Sequence, residues 1–291
     1  MIACALTLSG CSQKSLNAVE INQASAISIH ATEVSKFSRV VALANGSAEI
    51  ISALGQKKIL IGRDIASTDK DLQTIPIVTS GHQVVSEKII ALKPDLVIID
   101  ASTGPAIALT QLKGAGIKVV TVSEIWSFEE IGKKISEVAS AIGVTKDGQS
   151  LSSHFAGTTS KISQSAKFIF LYLRGTNAIY LMGGKGSGAD SLIKAIGGVD
   201  VGAEHLAQSF NTMTAEAVAS ANPDVILVMT KGLESVGGMK GLLALPGVAQ
   251  TEAGKRGRVI AVDDSLLLSF GPRTPDMLAQ LSKATDEVMK R

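Results

Sequence analysis

The chain has few aromatic residues, almost no net charge and few cysteines, and each shortage excludes a class of function. The formal net charge over 291 residues is only +2. No basic stripe with interleaved aromatics occurs, so the sequence does not indicate a nucleic-acid partner. Aromatic residues make up 3% of the chain, so a planar ligand would have to be held mainly by aliphatic walls and a few polar anchors.

The only two cysteines, Cys4 and Cys11, both precede any segment that could fold, so no disulfide is expected within the globular body. Cys11 ends a short apolar run, Leu-Ser-Gly-Cys, and polar residues follow it. This pattern is typical of the cleavage box of a bacterial lipoprotein signal, with Cys11 as the lipidated residue. No Lys or Arg precedes Cys11, and an accidental apolar start is the alternative.

Residues 1–11 are therefore interpreted as a signal remnant, and the polar residues 12–36 as a flexible tether. No later apolar run approaches the roughly 20 residues that a membrane-spanning helix needs. We expect a folded body that is held outside the cytoplasm by a lipid anchor.

Two stretches that start 129 positions apart, 86–100 and 215–229, follow one template. Each has an acidic residue, Glu87 or Glu216, near the start of a predicted helix. Each then ends the helix before Pro-Asp and continues as an apolar run typical of a buried strand. A duplicated unit of this kind predicts two similar lobes with a cleft between them.

Short β-branched runs alternate with helix-length segments in residues 37–124 and again in 166–291. Alternation of this kind predicts a parallel α/β sheet in each lobe. Residues 125–165 have no strand signal, and their apolar residues recur mostly at helical spacing, which indicates one or two connecting helices.

This plan resembles the substrate-binding proteins of ABC importers for haem, ferric siderophores or cobalamin. The resemblance covers roughly residues 38–291, and its most specific parts are 86–95, 232–238, 242–247 and 270–274. It implies two Rossmann-like α/β lobes bridged by a long α-helix, the class III periplasmic-binding-protein fold. It also implies a monomeric, non-enzymatic receptor that binds ferric haem in the inter-lobe cleft and delivers it to a permease dimer with its ATPase.

The resemblance further implies one iron ligand from each lobe. His82, in a Gly-His-Gln loop, is the expected ligand from the first lobe, and Tyr180 the expected ligand from the second. Imidazole and phenolate are both established haem ligands, and a phenolate favours ferric iron. Met182 and Met239 are possible reserve ligands, while Tyr172 is an alternative phenol whose apolar neighbours indicate a buried strand.

Charged residues at lobe edges are predicted to serve the ligand and the transporter. Haem propionates favour guanidinium partners, and Arg63, Arg174 and Arg273 each follow a strand or a Gly-rich turn. The resemblance also implies that one surface acid from each lobe docks onto the permease. Glu87 and Glu216 have equivalent positions in the two copies of the repeat and are the expected docking acids. Both acids would also be favourable in the first turn of a helix without any partner.

Two other functions stay open. A ferric siderophore or cobalamin receptor of the same class would need no axial protein ligand. A dinucleotide-binding enzyme is suggested by Gly184, Gly186 and Ala189, which match a loose G-x-G-x-x-A pattern with Glu204 as a distant ribose acid. That loop would follow the second strand of its lobe rather than open a βαβ unit, which favours a ligand-facing loop instead.

Overall fold

A computed structural model describes residues 17–80, 83–155 and 160–291. The first lobe contains strands β2 (Val40–Ala42), β3 (Leu60–Arg63), β4 (Thr79–Ser80), β5 (Gln83–Val84), β6 (Leu96–Ile99) and β7 (Val119–Thr121), with helices α1 (Ser47–Ala53), α2 (Ser86–Ala91) and α3 (Ala106–Gly114). Its main sheet has the order β3-β2-β6-β7, with all pairs parallel. Strands β4 and β5 form a separate antiparallel pair.

The second lobe contains strands β1 (Val19–Ile21), β8 (Lys167–Arg174), β9 (Ile179–Gly183), β10 (Val199–Asp200), β11 (Phe210–Thr212), β12 (Val225–Met229) and β13 (Val259–Val262). Its helices are α6 (Ala189–Ala195), α7 (Val201–His205), α8 (Ala215–Ala221), α9 (Thr230–Ser235), α10 (Gly238–Ala244), α11 (Glu252–Arg256), α12 (Asp264–Leu268) and α13 (Thr274–Val288). The sheet order is β1-β13-β12-β8-β9-β11, with β10 beside β8. Strands β9 and β11 run antiparallel to their neighbours, and the other pairs are parallel.

The repeat folds as the sequence predicts, with helix α2 before strand β6 and helix α8 before strand β12. The residue before each proline, Lys93 or Asn222, has a positive φ, of 48° and 35° respectively, which ends the helix. The aspartate after each proline then fixes the neighbouring strand. Asp95 accepts the N–H groups of Ser38 and Arg39, and Asp224 accepts that of Lys167.

The connection between the lobes is helical, as expected, and consists of two consecutive helices, α4 (Ile131–Ile142) and α5 (Thr145–Ser153). Helix α4 buries residues at helical spacing, including Ile131, Ile135, Val138 and Ile142. They belong to one apolar core that also includes side chains of α1, β8 and α13. The two lobes and the connector therefore share a core instead of meeting only at a linker.

The interpretation of residues 12–36 as a flexible tether is wrong for the described part, 17–36. Strand β1 pairs with β13 in the second lobe, and its Ile21 is buried. The chain then crosses to the first lobe, where the N–H of Ile29 donates to Ala53 O, and Asp147 of α5 accepts the N–H of Thr32. The polar composition of this segment did not indicate a fixed structure, because the segment is bound to both lobes largely through its backbone.

Short 3-10 turns lie at Lys57–Ile59, Lys70–Leu72, Phe128–Glu130, Gly175–Asn177 and Val248–Gln250. Within the described ranges, every helix is too short or too polar to cross a membrane.

Candidate ligand-binding cleft

Residues that follow the carboxyl ends of β2 and β3 in the first lobe contact residues that follow β13 in the second lobe. The carboxyl edge of the parallel strands is the usual position for ligands in open α/β sheets. Helix α12 starts there, directly after β13. Its Ser265 hydroxyl lies 2.5 Å from the hydroxyl of Thr68, which follows β3 in the first lobe. In the same region, Asn45 Nδ2 donates to Leu268 O at 2.6 Å. The start of α12 is therefore the floor of the cleft, where the two lobes meet.

Arg273 is buried in this floor and ties the lobes together. Its Nε donates to Glu49 Oε2 at 3.0 Å, its Nη2 also contacts Glu49 and Ser265, and Asp69 lies 3.4 Å from Nε. Burial raises the pKa of Glu49, and the guanidinium of Arg273 opposes that shift. Arg273 is 5% exposed, so the structure uses the guanidinium for inter-lobe pairing rather than presenting it at the cleft mouth.

Lys134 of the connecting helix also reaches this floor. It is 1% exposed, and its Nζ donates to Ser269 O of the second lobe at 2.8 Å. Burial lowers the pKa of Lys134 to about 8, against the opposing charges of Asp100 and Glu49. The connector therefore contributes to the lobe junction a buried amine that loses its proton more readily than an exposed lysine does.

The guanidinium of Arg63 binds backbone carbonyl groups of its own lobe. Its Nε donates to Leu72 O and Ile75 O, and its Nη1 donates to Ser67 O at 2.8 Å. It is 7% exposed and organises the loop that follows β3. This geometry offers little of the guanidinium to a propionate.

Arg174, at the carboxyl end of β8, is the predicted arginine that reaches the cleft. Its Nη2 pairs with Asp264 Oδ2 at 3.2 Å, and its guanidinium lies 4.6 Å from the centre of the Tyr172 ring. Asp264 also accepts the N–H of Lys231 at 3.2 Å, which fixes its position at the start of α12. Arg174 and Tyr172 are both half-buried, so they combine a cation and a phenol at an accessible edge.

Two further aromatic residues lie next to Tyr172 at this edge, and a separate aromatic pair lies before the connector. Phe210 of β11 contacts the Tyr172 ring edge-on with 5.6 Å between centroids, and contacts Phe170 with 6.5 Å. Trp126, before the connector, contacts Phe270 in the same manner at 6.1 Å. For a planar ligand, the positions of the rings matter more than their number.

The strand register places the other predicted ligands on the opposite face of the second-lobe sheet. Tyr180 lies opposite Leu173, and Met182 opposite Leu171, so both point away from the face of Tyr172 and Arg174. Tyr180 and Met239 are half-buried and pack against the apolar core on the opposite face, and Met182 is 1% exposed within this core. Asp264 and Phe210 were not singled out from the sequence, although Asp264 follows β13 with only Asp263 between them.

His82 and Cys11 lie outside the described residues. Strands β4 and β5 flank positions 81–82 and pair antiparallel, with Thr79 opposite Val84. Among the residues that the structure describes, no cluster of three or more His, Cys, Asp or Glu side chains is arranged to hold a metal ion.

The glycine-rich loop after β9 does not have the geometry of a dinucleotide site. Asp190 accepts the N–H groups of Gly186 at 2.8 Å and Gly188 at 3.0 Å, so these amides already bind a carboxylate. In addition, β9 runs antiparallel to β8 and does not open a parallel βαβ unit. A pyrophosphate would have to displace an internal anion from the loop.

The acids of the repeat are exposed. Glu87 lies in the first turn of α2 and Glu216 in the first turn of α8. Both helices precede a parallel strand of their lobe, so their amino-terminal ends lie toward the carboxyl edge of the sheet, the cleft side. Each lobe therefore presents one acid near the rim.

A separate shallow concavity of about 660 Å³ lies on the first lobe, between the edge strand β7 and α4. Val120, Lys133 and Glu137 are among its lining residues. None of the residues that line it belongs to the group formed by Tyr172, Arg174 and Phe210.

A family model for periplasmic binding proteins matches residues 40–266. The chain belongs to this family. The family is one of substrate-binding proteins, and its fold agrees with the two lobes and helical connector described above. Its members are binding proteins, and the inter-lobe cleft is the candidate binding site in this chain.

Two relatives and two solved structures illustrate the range of similar proteins. The uncharacterized ABC transporter substrate-binding lipoprotein YvrC of Bacillus subtilis (strain 168) is 30% identical over 84% of this chain and 79% of its own. A vitamin B12-binding protein of Salmonella choleraesuis (strain SC-B67) is 25% identical over 67% of this chain and 74% of its own.

Among solved structures, the heme binding protein HmuT is 30% identical with a TM-score of 0.81, and covers 93% of this chain and 98% of its own. The periplasmic heme-binding protein RhuT of Roseiflexus sp. RS-1 is 34% identical with a TM-score of 0.81, and covers 87% and 99%. Structures of HmuT variants replace one histidine, one tyrosine and one arginine with alanine, the last two being two positions apart.

Proposed function

We propose that this protein is an extracytoplasmic, lipid-anchored receptor that binds ferric haem between its lobes and delivers it to an ABC permease. It is a binding protein and not an enzyme. The observation that supports haem most directly is the group of Tyr172, Arg174 and Phe210 at the cleft edge, where a phenol, a cation and an exposed ring meet. The names of HmuT and RhuT support the same ligand.

The second-lobe iron ligand in this proposal is Tyr172, not Tyr180. The substituted tyrosine and arginine of the HmuT variants are two positions apart, as Tyr172 and Arg174 are in this chain. The substituted histidine lies 99 positions before that tyrosine, and in this chain His82 lies 90 positions before Tyr172 and 98 before Tyr180, so the two spacings favour different tyrosines. The Arg174 guanidinium lies over the Tyr172 ring, so this phenol has a cation next to it on the same sheet face. Tyr180 is half-buried, as Tyr172 is, but it lies on the opposite sheet face from Arg174.

The first-lobe ligand stays a proposal from the sequence. His82 is expected to approach the iron from the other side, which would give each lobe one bond to the cargo. Arg174, rather than the buried Arg63 or Arg273, is the proposed partner of a propionate or of the phenolate. Separation of the lobes by the permease would then weaken both iron bonds together.

A cobalamin receptor is the second candidate, because of the similarity to vitamin B12-binding proteins. That ligand is bulkier than haem and would not need Tyr172. The identity to those proteins is lower, and it extends over a smaller part of this chain than the likeness to the heme-binding structures.

Titration of the apo-protein with haemin, followed by visible spectroscopy, tests the proposal. The chain has only two tyrosines, so Tyr172→Phe and Tyr180→Phe form a matched pair. We expect Tyr172→Phe to change the charge-transfer band and weaken haemin binding at least about tenfold, through loss of an iron bond. Tyr180→Phe should retain the wild-type spectrum, and His82→Ala should change it.

The reverse result for the two tyrosine variants would return the ligand role to Tyr180. Absence of haemin binding by the wild-type protein would refute the main proposal, and saturable binding of cyanocobalamin in that case would establish the alternative.

A further inference from the structure

Phe210 is an aromatic side chain that the fold leaves unusually open. It is 36% exposed, and the other described aromatic with a large exposed surface is Trp126, at 37%. An exposed phenyl ring costs the protein solvation free energy that burial would recover. Its neighbour in space is Tyr172, and both rings lie on the sheet face that carries Arg174.

Neighbouring residues fix the position of the Phe210 ring. Phe210 lies opposite Gly183 of β9, and a Cβ added at Gly183 would come within 2.7 Å of the Phe170 ring. The missing side chain at Gly183 thus lets Phe170 and Phe210 meet across β9 at 65°. Phe210 packs against Phe170 and Tyr172, and the rest of its surface is free to contact a ligand.

We infer that Phe210 is a specificity-determining residue that packs against the ring system of a planar tetrapyrrole, independently of the bond between the protein and the metal. This inference rests on the proposed haem-receptor function and adds a second recognition element to it. Tyr172 would recognise iron, whereas Phe210 would recognise the flat macrocycle. A ligand without an accessible planar face, such as a hydroxamate siderophore, would gain nothing from Phe210.

Metal-free protoporphyrin IX separates the two contributions, because it has the macrocycle and no iron. Haemin and protoporphyrin IX are titrated into the wild-type protein, Phe210→Ala, Phe210→Leu and Tyr172→Phe. We expect Phe210→Ala to weaken both ligands by a similar factor, about three- to tenfold, as for the loss of one aromatic contact. Tyr172→Phe should weaken haemin and leave protoporphyrin IX within twofold (roughly the error of a titration).

Two controls guard against indirect effects. Ile107→Ala removes an exposed apolar side chain, 65% exposed on α3 of the first lobe, and should change neither affinity. Phe210→Leu keeps apolar volume without the ring, and should bind both porphyrins more weakly than wild type if the contact needs an aromatic face. Thermal unfolding of each apo-variant shows whether the fold is retained.

A Phe210→Ala variant that binds both porphyrins as wild type would overturn the inference and leave the haem-receptor function intact. Loss of haemin affinity alone would also overturn it, since Phe210 would then act through the Tyr172–iron bond. If the wild-type protein binds neither porphyrin, the proposed function fails, and this inference with it.

Discussion

At the scale of single residues, Arg174 is the cation that connects the proposed iron ligand to the cleft floor. Replacing it with Gln should weaken haemin binding by about tenfold or more, because a charge-assisted contact to a phenolate or propionate is lost. The matched control is Arg256→Gln on α11, an exposed arginine that is also paired with an acid, Glu252. Equal affinities of the two variants in a haemin titration would contradict this role.

Lys134 makes the stability of the lobe junction depend on pH. Its pKa is about 8 in the folded protein, below the ordinary 10.5, because burial disfavours the charged amine. The folded state therefore loses this proton more easily than the unfolded state. Above about pH 10.5 the amine is neutral in both the folded and the unfolded protein, and its contribution to stability is complete. As the pH falls through about 8 the buried amine takes up a proton, and this contribution is lost.

The free energy of unfolding of wild type minus that of Lys134→Met should consequently increase by about 2 kcal/mol between roughly pH 7 and pH 10. Urea denaturation of both proteins at several pH values measures this difference. A difference that does not change with pH would mean that Asp100 and Glu49 keep the amine charged in the folded protein.

The residue types of the cleft were predictable from the sequence, but their assignment to a face was not. In a strand, alternate side chains point to opposite faces, so Tyr172 and Tyr180 can each be placed on either face until the register is known. Tyr172 was interpreted as part of a buried strand because its neighbours are apolar. Leu171 and Leu173 lie on the other face, whereas Phe170 shares the face of Tyr172. The buried partners of Arg63 and Arg273 are equally invisible, since backbone carbonyls and Glu49 come from distant or unpatterned segments.

At the scale of elements, β1 is the largest departure from expectation, and it gives a direct test. Ile21 is 3% exposed in the second-lobe sheet, whereas Val34, later in the same segment, is 80% exposed. Ile21→Ala should lower the free energy of unfolding by about 2–4 kcal/mol through lost burial and a cavity. Val34→Ala should change it by less than about 0.5 kcal/mol.

Chemical denaturation of both variants compares these costs directly. If residues 17–36 were a free tether, the two substitutions would be equally neutral, and that result would contradict the paired strand.

The repeat, by contrast, was predicted closely because its signals are local. Proline fixes the end of each helix, aspartate supplies a short-range acceptor, and a run of apolar residues needs a fully buried strand. Strand β6 begins and ends where the apolar run does, at Leu96 and Ile99. Segment 17–36 gives a weaker signal, since only Val19, Ile21, Ile27 and Ile29 alternate with polar residues, and its partners are more than 20 positions away.

At the scale of the whole molecule, the duplicated frame and the single ligand group have different symmetry. Helices α2 and α8 repeat, and each places an exposed acid near the cleft rim. The group of Tyr172, Arg174 and Phe210 occurs only in the second lobe, since the first lobe has no tyrosine. A pseudo-symmetric frame agrees with the proposed docking onto a symmetric permease dimer, and an asymmetric cleft agrees with one ligand held in one orientation.

The pair of acids therefore gives a prediction that separates delivery from binding. The double variant Glu87→Gln, Glu216→Gln should bind haemin with wild-type affinity, because neither side chain belongs to the ligand group. It should support haem uptake by a permease in proteoliposomes at least about tenfold less well, because rim charges govern docking rather than cargo affinity. Each single variant should have an intermediate effect, and raising the ionic strength should reduce uptake by the wild type toward that of the double variant.

The control is Glu130→Gln, Glu252→Gln, which removes the same charge from the connector and from α11. Equal uptake with the two double variants would show that Glu87 and Glu216 act only as favourable acids in the first turns of their helices.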